Sequence, residues 1–83
     1  MPSLFGRFVI EEIVMFKERV TAKHLAEMIA QRIGAVGLDV IVRRDHAYGW
    51  QPNVISAPGD LIGYQRRAEE IAERLRFQFD LQD

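Results

Sequence analysis

The chain has 83 residues, enough for one domain, and its formal net charge of −1 gives it no overall attraction to nucleic acid or anionic lipid. It contains no cysteine, which excludes disulfides and thiolate metal sites and is typical of a reducing compartment such as the cytoplasm. Hydrophobic residues make up 48% of the chain and charged residues 28%, which excludes a disordered protein and fits a globular one.

Residues 1–19 are the most apolar part of the chain, and residues 20–83 are expected to form the core of the same single domain. The run 4–16 is too short to cross a bilayer as a helix, carries charges, and lacks the cleavage site of a signal peptide. We predict a helix over the first twenty residues, although the β-branched residues in this segment favour a strand. An alternative start at Met15 would make residues 1–14 an extension. The apolar face of this helix consists of Phe5, Val9, Ile13, Phe16 and Val20.

A second helix is predicted over residues 21–34. Thr21 can accept a hydrogen bond from the free amides of the first turn, and Gly34 is typical of the residue that ends a helix. Between these two residues the spacing of apolar side chains is helical. They are Ala22, Leu25, Ala26, Ile29 and Ile33.

A β-hairpin is predicted next, with strands over residues 38–44 and 50–57. The first strand alternates apolar and polar residues, and the segment 45–49 has the composition of a turn. Pro52 has no amide hydrogen for a ladder, so the return strand is expected to lie at an edge or to carry a bulge. The free side of residues 38–44 is then the better place for a further strand, for example the same strand of a second chain.

The chain is predicted to end in a helix and a packed tail. Residues 57–60 are typical of a type II turn, with Pro58 second and Gly59 third, and Asp60 can cap the helix that follows. That helix is expected to reach about residue 77. Its apolar seam is Leu61, Tyr64, Ala68, Ile71 and Leu75, and the tail alternates through Phe77, Phe79 and Leu81.

These elements predict a small α+β domain in which helices flank one hairpin. The element order is α-α-β-β-α, and the last four elements form an α-β-β-α core. Two helices and a hairpin cannot easily cover an N-terminal segment that is apolar on most sides, and a lone hairpin is only marginally stable. Pairing with a second copy would extend the hairpin to a four-stranded sheet. We therefore expect a homodimer with a shared sheet; the alternative is a monomer whose first segment wraps the core.

The turn region combines charge, an imidazole and two aromatic rings, which makes it the candidate ligand site of an enzyme or small-molecule-binding protein. A structural role is the favoured interpretation, with the aromatic rings covering the core and the charged groups in solvent. Because neighbouring side chains point apart in an extended chain, no catalytic dyad is predicted here. The candidate residues are Arg43, Arg44, Asp45, His46, Tyr48 and Trp50.

Nucleic-acid binding is another hypothesis. Arg43 and Arg44 on the hairpin, with Arg66 and Arg67 on the last helix, could form a basic surface beside aromatic rings for stacking. Acidic residues interleave with these arginines, and the near-zero net charge argues against nucleic acid as a partner.

No metal site, cofactor or membrane contact is predicted. A metal site needs three or four ligands, and the two histidines, His24 and His46, fall on different elements. The favoured hypothesis is a small cytoplasmic homo-oligomeric interaction or accessory protein of unknown role, with other protein partners left open.

Overall fold

The computed structural model describes residues 17–82, which contain two α-helices and four β-strands. Within this range the strands form two small sheets, and the predicted α+β class is confirmed. The elements are β1 (Glu18–Val20), α1 (Ala22–Ile33), β2 (Asp39–Asp45), β3 (Gly49–Ser56), α2 (Leu61–Leu75) and β4 (Phe79–Leu81).

Both helices begin at the capping residues that the sequence predicts. The hydroxyl of Thr21 accepts a hydrogen bond from an amide of the first turn of α1 at 3.1 Å, and the carboxylate of Asp60 does the same for α2 at 3.2 Å. Gly34 ends α1 in the left-handed conformation, with φ 71°, and its amide donates to the carbonyl of Ala30 at 2.8 Å. α2 ends at Leu75, slightly earlier than predicted.

The predicted antiparallel hairpin of β2 and β3 is confirmed. Asp45 pairs with Gly49 at the closed end, and the carboxylate of Asp45 accepts hydrogen bonds from the amides of Ala47 (3.0 Å) and Tyr48 (2.8 Å). Gly49 has φ 87°, a conformation that a residue with a side chain rarely adopts and that short hairpin loops require. The turn is therefore fixed by one carboxylate and one glycine, both local in sequence.

The strands β1 and β4 form a parallel pair that the sequence analysis did not predict. Glu18 lies opposite Phe79, Val20 lies opposite Leu81, and the amide of Gln82 donates to the carbonyl of Val20 at 2.7 Å. The predicted N-terminal helix is thus wrong for residues 18–20, and the C-terminal tail packs as a strand. The predictions for residues 1–16 lie outside the described residues.

The core lies between the hairpin and the two helices. Val40, Val42 and Val54 are buried on one side of the hairpin, and both helices pack against this side. Trp50 joins them with only 1% of its surface exposed, and its Nε1 donates to the carbonyl of Phe79 at 3.2 Å, which ties the hairpin to β4. The other side, here called the open face, carries Asp39, Ile41, Arg43, Gln51, Asn53 and Ile55.

The connection between β3 and α2 differs from the predicted type II turn. Such a turn needs a positive φ at its third residue, and Gly59 does not have one. The chain enters α2 through Asp60, whose backbone is extended (φ −64°, ψ 106°) so that its carboxylate reaches the first turn of the helix. The capping requirement of Asp60, rather than the flexibility of Gly59, decides the local backbone.

Candidate functional site

The two edges of the hairpin differ, and this difference defines the candidate site. At the outer edge of β3, Gln65 of α2 replaces a neighbouring strand: its Oε1 accepts from the amide of Val54 at 2.7 Å, and its Nε2 donates to the carbonyl of Pro52 at 3.0 Å. The same Nε2 lies 3.0 Å from a carboxylate oxygen of Glu69, which holds the Gln65 amide in this orientation. Pro52 itself offers no donor.

Arg76 closes the next part of the β3 edge. Its Nε donates to the carbonyl of Trp50 at 2.9 Å. Its guanidinium carbon lies 5.0 Å from the centre of the Tyr48 ring and 5.2 Å from that of Trp50, which is the geometry of a cation–π contact. Three outward backbone groups of β3 are therefore bonded within the molecule, namely the carbonyls of Trp50 and Pro52 and the amide of Val54.

The outer edge of β2 is not closed in this way within residues 17–82. Val40 pairs with Val54 and Val42 with Pro52. In an antiparallel ladder, two directly opposite residues either both turn their backbone groups toward each other or both turn them away from each other. The amide and carbonyl groups of Val40 and Val42 therefore point away from β3. No group in the described part of the chain bonds to them. An open edge of this kind is a template for another strand.

Helix α1 borders the β2 edge with small side chains. Ala22, Ala26 and Ala30 recur every fourth residue and, with residues 38–42, line a groove of about 470 Å³. Lys23 and Glu27 add one charge of each sign to the lining. The result, here called the β2 edge site, combines backbone groups that can pair with a strand and an apolar groove beside them.

Part of this site could be predicted from the sequence. Pro52 indicates an edge for β3, and this is confirmed, although the irregularity in the ladder lies between Asp39 and Val40 rather than at Pro52. Gln65 was missed, because a glutamine among charged residues of a helix carries no signal for an edge-capping role. Ala22 and Ala26 fit the helical apolar pattern, but both are only half-buried.

The candidate ligand residues of the hairpin turn occupy separate environments. Trp50 belongs to the core, the carboxylate of Asp45 bonds to its own turn, and His46 is exposed at the tip. Tyr48 is 64% exposed and lines a groove of about 680 Å³ together with Arg76. None of the other candidate turn residues contributes to the described lining of that groove.

The candidate nucleic-acid residues lie on different sides of the hairpin. Arg43 and Arg44 are both exposed near the turn, with Arg43 on the open face. Arg66 and Arg67 are exposed on α2, which covers the opposite side. Arg43 and the two helix arginines therefore do not share one surface.

Residues 17–82 contain no group of three or more histidine or acidic side chains placed to hold a metal ion. Within the same range, neither helix has the length and apolar character needed to cross a bilayer. Comparisons of the chain with protein-family models, with curated proteins and with solved structures find no match in any of the three.

Proposed function

We propose that this protein is an interaction module that associates by adding a strand to the outer edge of β2, and that it forms homo-oligomers. The observation that carries the proposal is the contrast between the closed edge of β3 and the edge formed by Val40 and Val42. In strand addition, main-chain hydrogen bonds supply affinity and the neighbouring pockets supply specificity. The β2 edge site offers both.

The way in which the β3 edge is closed supports this proposal. Proteins protect exposed strand edges with proline, with charged side chains or by covering them, because an open edge pairs with unwanted chains. β3 has Pro52, Gln65 and Arg76 at its edge. On β2, the corresponding positions in the described structure are valines beside a groove lined with alanine. Within residues 17–82 the chain thus protects one edge of the hairpin and leaves the other available for pairing.

Chain length supports a homo-oligomeric form. A domain of 83 residues buries a smaller fraction of its surface than a larger one, and small domains commonly gain stability from oligomerisation, a metal or disulfides. This chain has no cysteine, so disulfides are excluded. We place the assembly in the cytoplasm, where disulfide-free proteins are usual.

The variant Val42→Pro tests the proposal. Proline at this position removes an outward amide and no inward donor, as Pro52 does directly opposite, so the hairpin ladder keeps its bonds. We expect the wild-type protein to sediment with at least twice the chain mass at micromolar concentration and Val42→Pro to sediment as one chain. The buried Trp50 reports by its fluorescence that the variant is folded.

The control is Val36→Pro in the loop before β2, where the valine is 92% exposed, and this variant should associate like the wild type. A wild-type protein that stays monomeric at every concentration would contradict the proposal. So would a folded Val42→Pro protein that still associates.

Ligand binding at the turn and nucleic-acid binding stay predictions from the sequence. In the described structure, Tyr48 is the one candidate turn residue that lines the groove of about 680 Å³, and Arg43 does not share a surface with Arg66 and Arg67.

A further inference from the structure

We infer that the strand added at the β2 edge is β2 of a second copy, paired antiparallel about a two-fold axis through Ile41, with Asp39 of each copy opposite Arg43 of the other. This inference rests on the proposed function and names the partner of that site. It follows from three properties of β2, namely the direction of its backbone groups, the charges on its open face and the small side chains beside its edge.

Hydrogen-bond direction limits the possible registers. The outward groups lie on every second residue, at Val40 and Val42, and a new ladder forms only where outward groups meet outward groups. Two antiparallel copies satisfy this condition when the two-fold axis passes through a residue of β2, not between two residues. With the axis at Ile41, Val40 of each copy exchanges hydrogen bonds with Val42 of the other.

The charged side chains of β2 favour the axis at Ile41 over the other positions that hydrogen-bond direction allows. Asp39, Ile41 and Arg43 lie on the open face because they alternate with the buried Val40 and Val42. This axis places each Asp39 across from an Arg43 and brings the two Ile41 side chains together between these ion pairs. Opposite charges and apolar pairs at directly facing positions stabilise a sheet.

The neighbouring axes lack this complementarity. An axis at Val42 would place Asp39 across from Asp45, and an axis at Arg43 would bring two arginines together. Like charges directly opposite each other destabilise strand pairing. An axis at Val40 leaves Asp39 across from Ile41, with no ion pair. Of the axes from Val40 to Arg43, the one at Ile41 alone gives two ion pairs for each dimer. An axis at Arg44 would also place Arg43 across from Asp45, but it would bring the two Arg44 side chains together.

The same arrangement fills the groove beside the edge. Both α1 helices then lie on the same side of the four-stranded sheet and face each other through Ala22, Ala26 and Ala30. Helices that meet through small side chains can approach to about 8 Å. Lys23 and Glu27 give each helix one positive and one negative side chain along this contact.

Two charge reversals and their mixture test the register. Asp39→Arg alone places arginine against arginine twice in each dimer, and Arg43→Asp alone places aspartate against aspartate. We expect each variant to self-associate about tenfold more weakly than the wild type, or worse. In an equimolar mixture every facing pair is again of opposite charge, so the two variants should form a heterodimer, which native mass spectrometry distinguishes by mass. Both residues are exposed, so the fold should be retained.

The matched control uses charge reversal away from β2. Arg66→Asp and Glu70→Arg, both at exposed positions of α2, should leave self-association within about twofold of the wild type, since isolated surface charges contribute little.

A cysteine introduced at Ile41 gives a second measurement. The chain has no native cysteine, so any disulfide formed by Ile41→Cys joins two copies. Facing residues of a non-hydrogen-bonded pair have Cα atoms about 4.5 Å apart, within the range of a disulfide. Under mild oxidation Ile41→Cys should cross-link rapidly, whereas Asp39→Cys, which faces position 43 of the other copy, should cross-link at least about tenfold more slowly.

The outcomes separate this inference from the proposed function. If Val42→Pro abolishes association but both charge reversals associate like the wild type, strand addition stands and this register is wrong. If Asp39→Cys cross-links as fast as Ile41→Cys, the axis is not at Ile41. If the wild-type protein is monomeric, both the register and the proposed function fail.

Discussion

Val42 and Pro52 lie directly opposite each other in the hairpin, and the backbone nitrogen and carbonyl of both residues point away from the ladder that joins β2 and β3. Pro52 has no amide hydrogen, yet the ladder is intact, because the inward bonds belong to the residues on either side. The hairpin therefore tolerates proline at this level of either strand.

This relationship predicts that Val42→Pro and Ile41→Pro differ in stability although the residues are adjacent. Val42→Pro keeps every ladder bond, and we expect it to lower the free energy of unfolding by about 1–2 kcal/mol through altered packing alone. Ile41→Pro removes an inward donor opposite Asn53 and should cost clearly more. Urea unfolding followed by Trp50 fluorescence measures both. Equal losses would show that the assigned bond directions are wrong.

Gln65 is expected to contribute more to stability than other glutamines. Gln65→Ala leaves the amide of Val54 and the carbonyl of Pro52 without their partner in a half-buried position, which should cost about 1–3 kcal/mol. Amide exchange at Val54 should also become faster. Gln51→Ala on the open face is the matched control and should change stability by less than about 0.5 kcal/mol. A similar loss of stability in both variants would contradict the edge-capping role of Gln65.

Arg76 is expected to stabilise the fold through geometry as well as charge. Arg76→Ala loses the bond to the carbonyl of Trp50 and the contact with the Tyr48 ring, at a cost of about 1–3 kcal/mol. Arg76→Lys keeps the charge but lacks the planar group, so its loss should be intermediate. Chemical denaturation with exposed Arg74→Ala as the control tests this order. A lysine variant as stable as the wild type would show that charge alone suffices.

The turn carboxylate of Asp45 is expected to act as a hydrogen-bond acceptor. Asp45→Ala loses the bonds from the amides of Ala47 and Tyr48 and should cost about 1–2 kcal/mol. Asp45→Asn keeps an acceptor oxygen and is favoured in turns, so it should stay within about 0.5 kcal/mol of the wild type. Thermal unfolding of the two variants distinguishes them. If both lose the same amount, the negative charge rather than the acceptor stabilises the turn.

The sequence predicts the elements whose signals are local. Thr21, Gly34 and Asp60 mark helix ends through contacts within one helical turn, and the structure confirms them. The pairing of Glu18 with Phe79 joins distant parts of the chain, and nothing in either short segment identifies the other. The helical wheel consequently extends the first predicted helix into β1.

The candidate site was predictable to a similar degree. Pro52 alone identifies the edge strand of the hairpin and so the side on which β2 could pair. The closure of the β3 edge depends on where α2 packs, because Gln65 and Arg76 reach β3 only across the tertiary contact. A sequence pattern does not specify such contacts. The side of the hairpin that is proposed to pair could thus be located from the sequence, whereas its contrast with the opposite edge required the fold.

The parallel pairing of β1 with β4 joins two segments that are made at different times during synthesis. In the described chain, β1 has its hydrogen-bonded neighbour in residues 79–81, and the indole of Trp50 has its acceptor at Phe79. During synthesis, β1 therefore gains this neighbour only after residues 79–81 have been made. A chain that lacks residues 79–81 leaves β1 and the indole of Trp50 without these partners, and we expect chaperones and proteases to bind such a chain more readily.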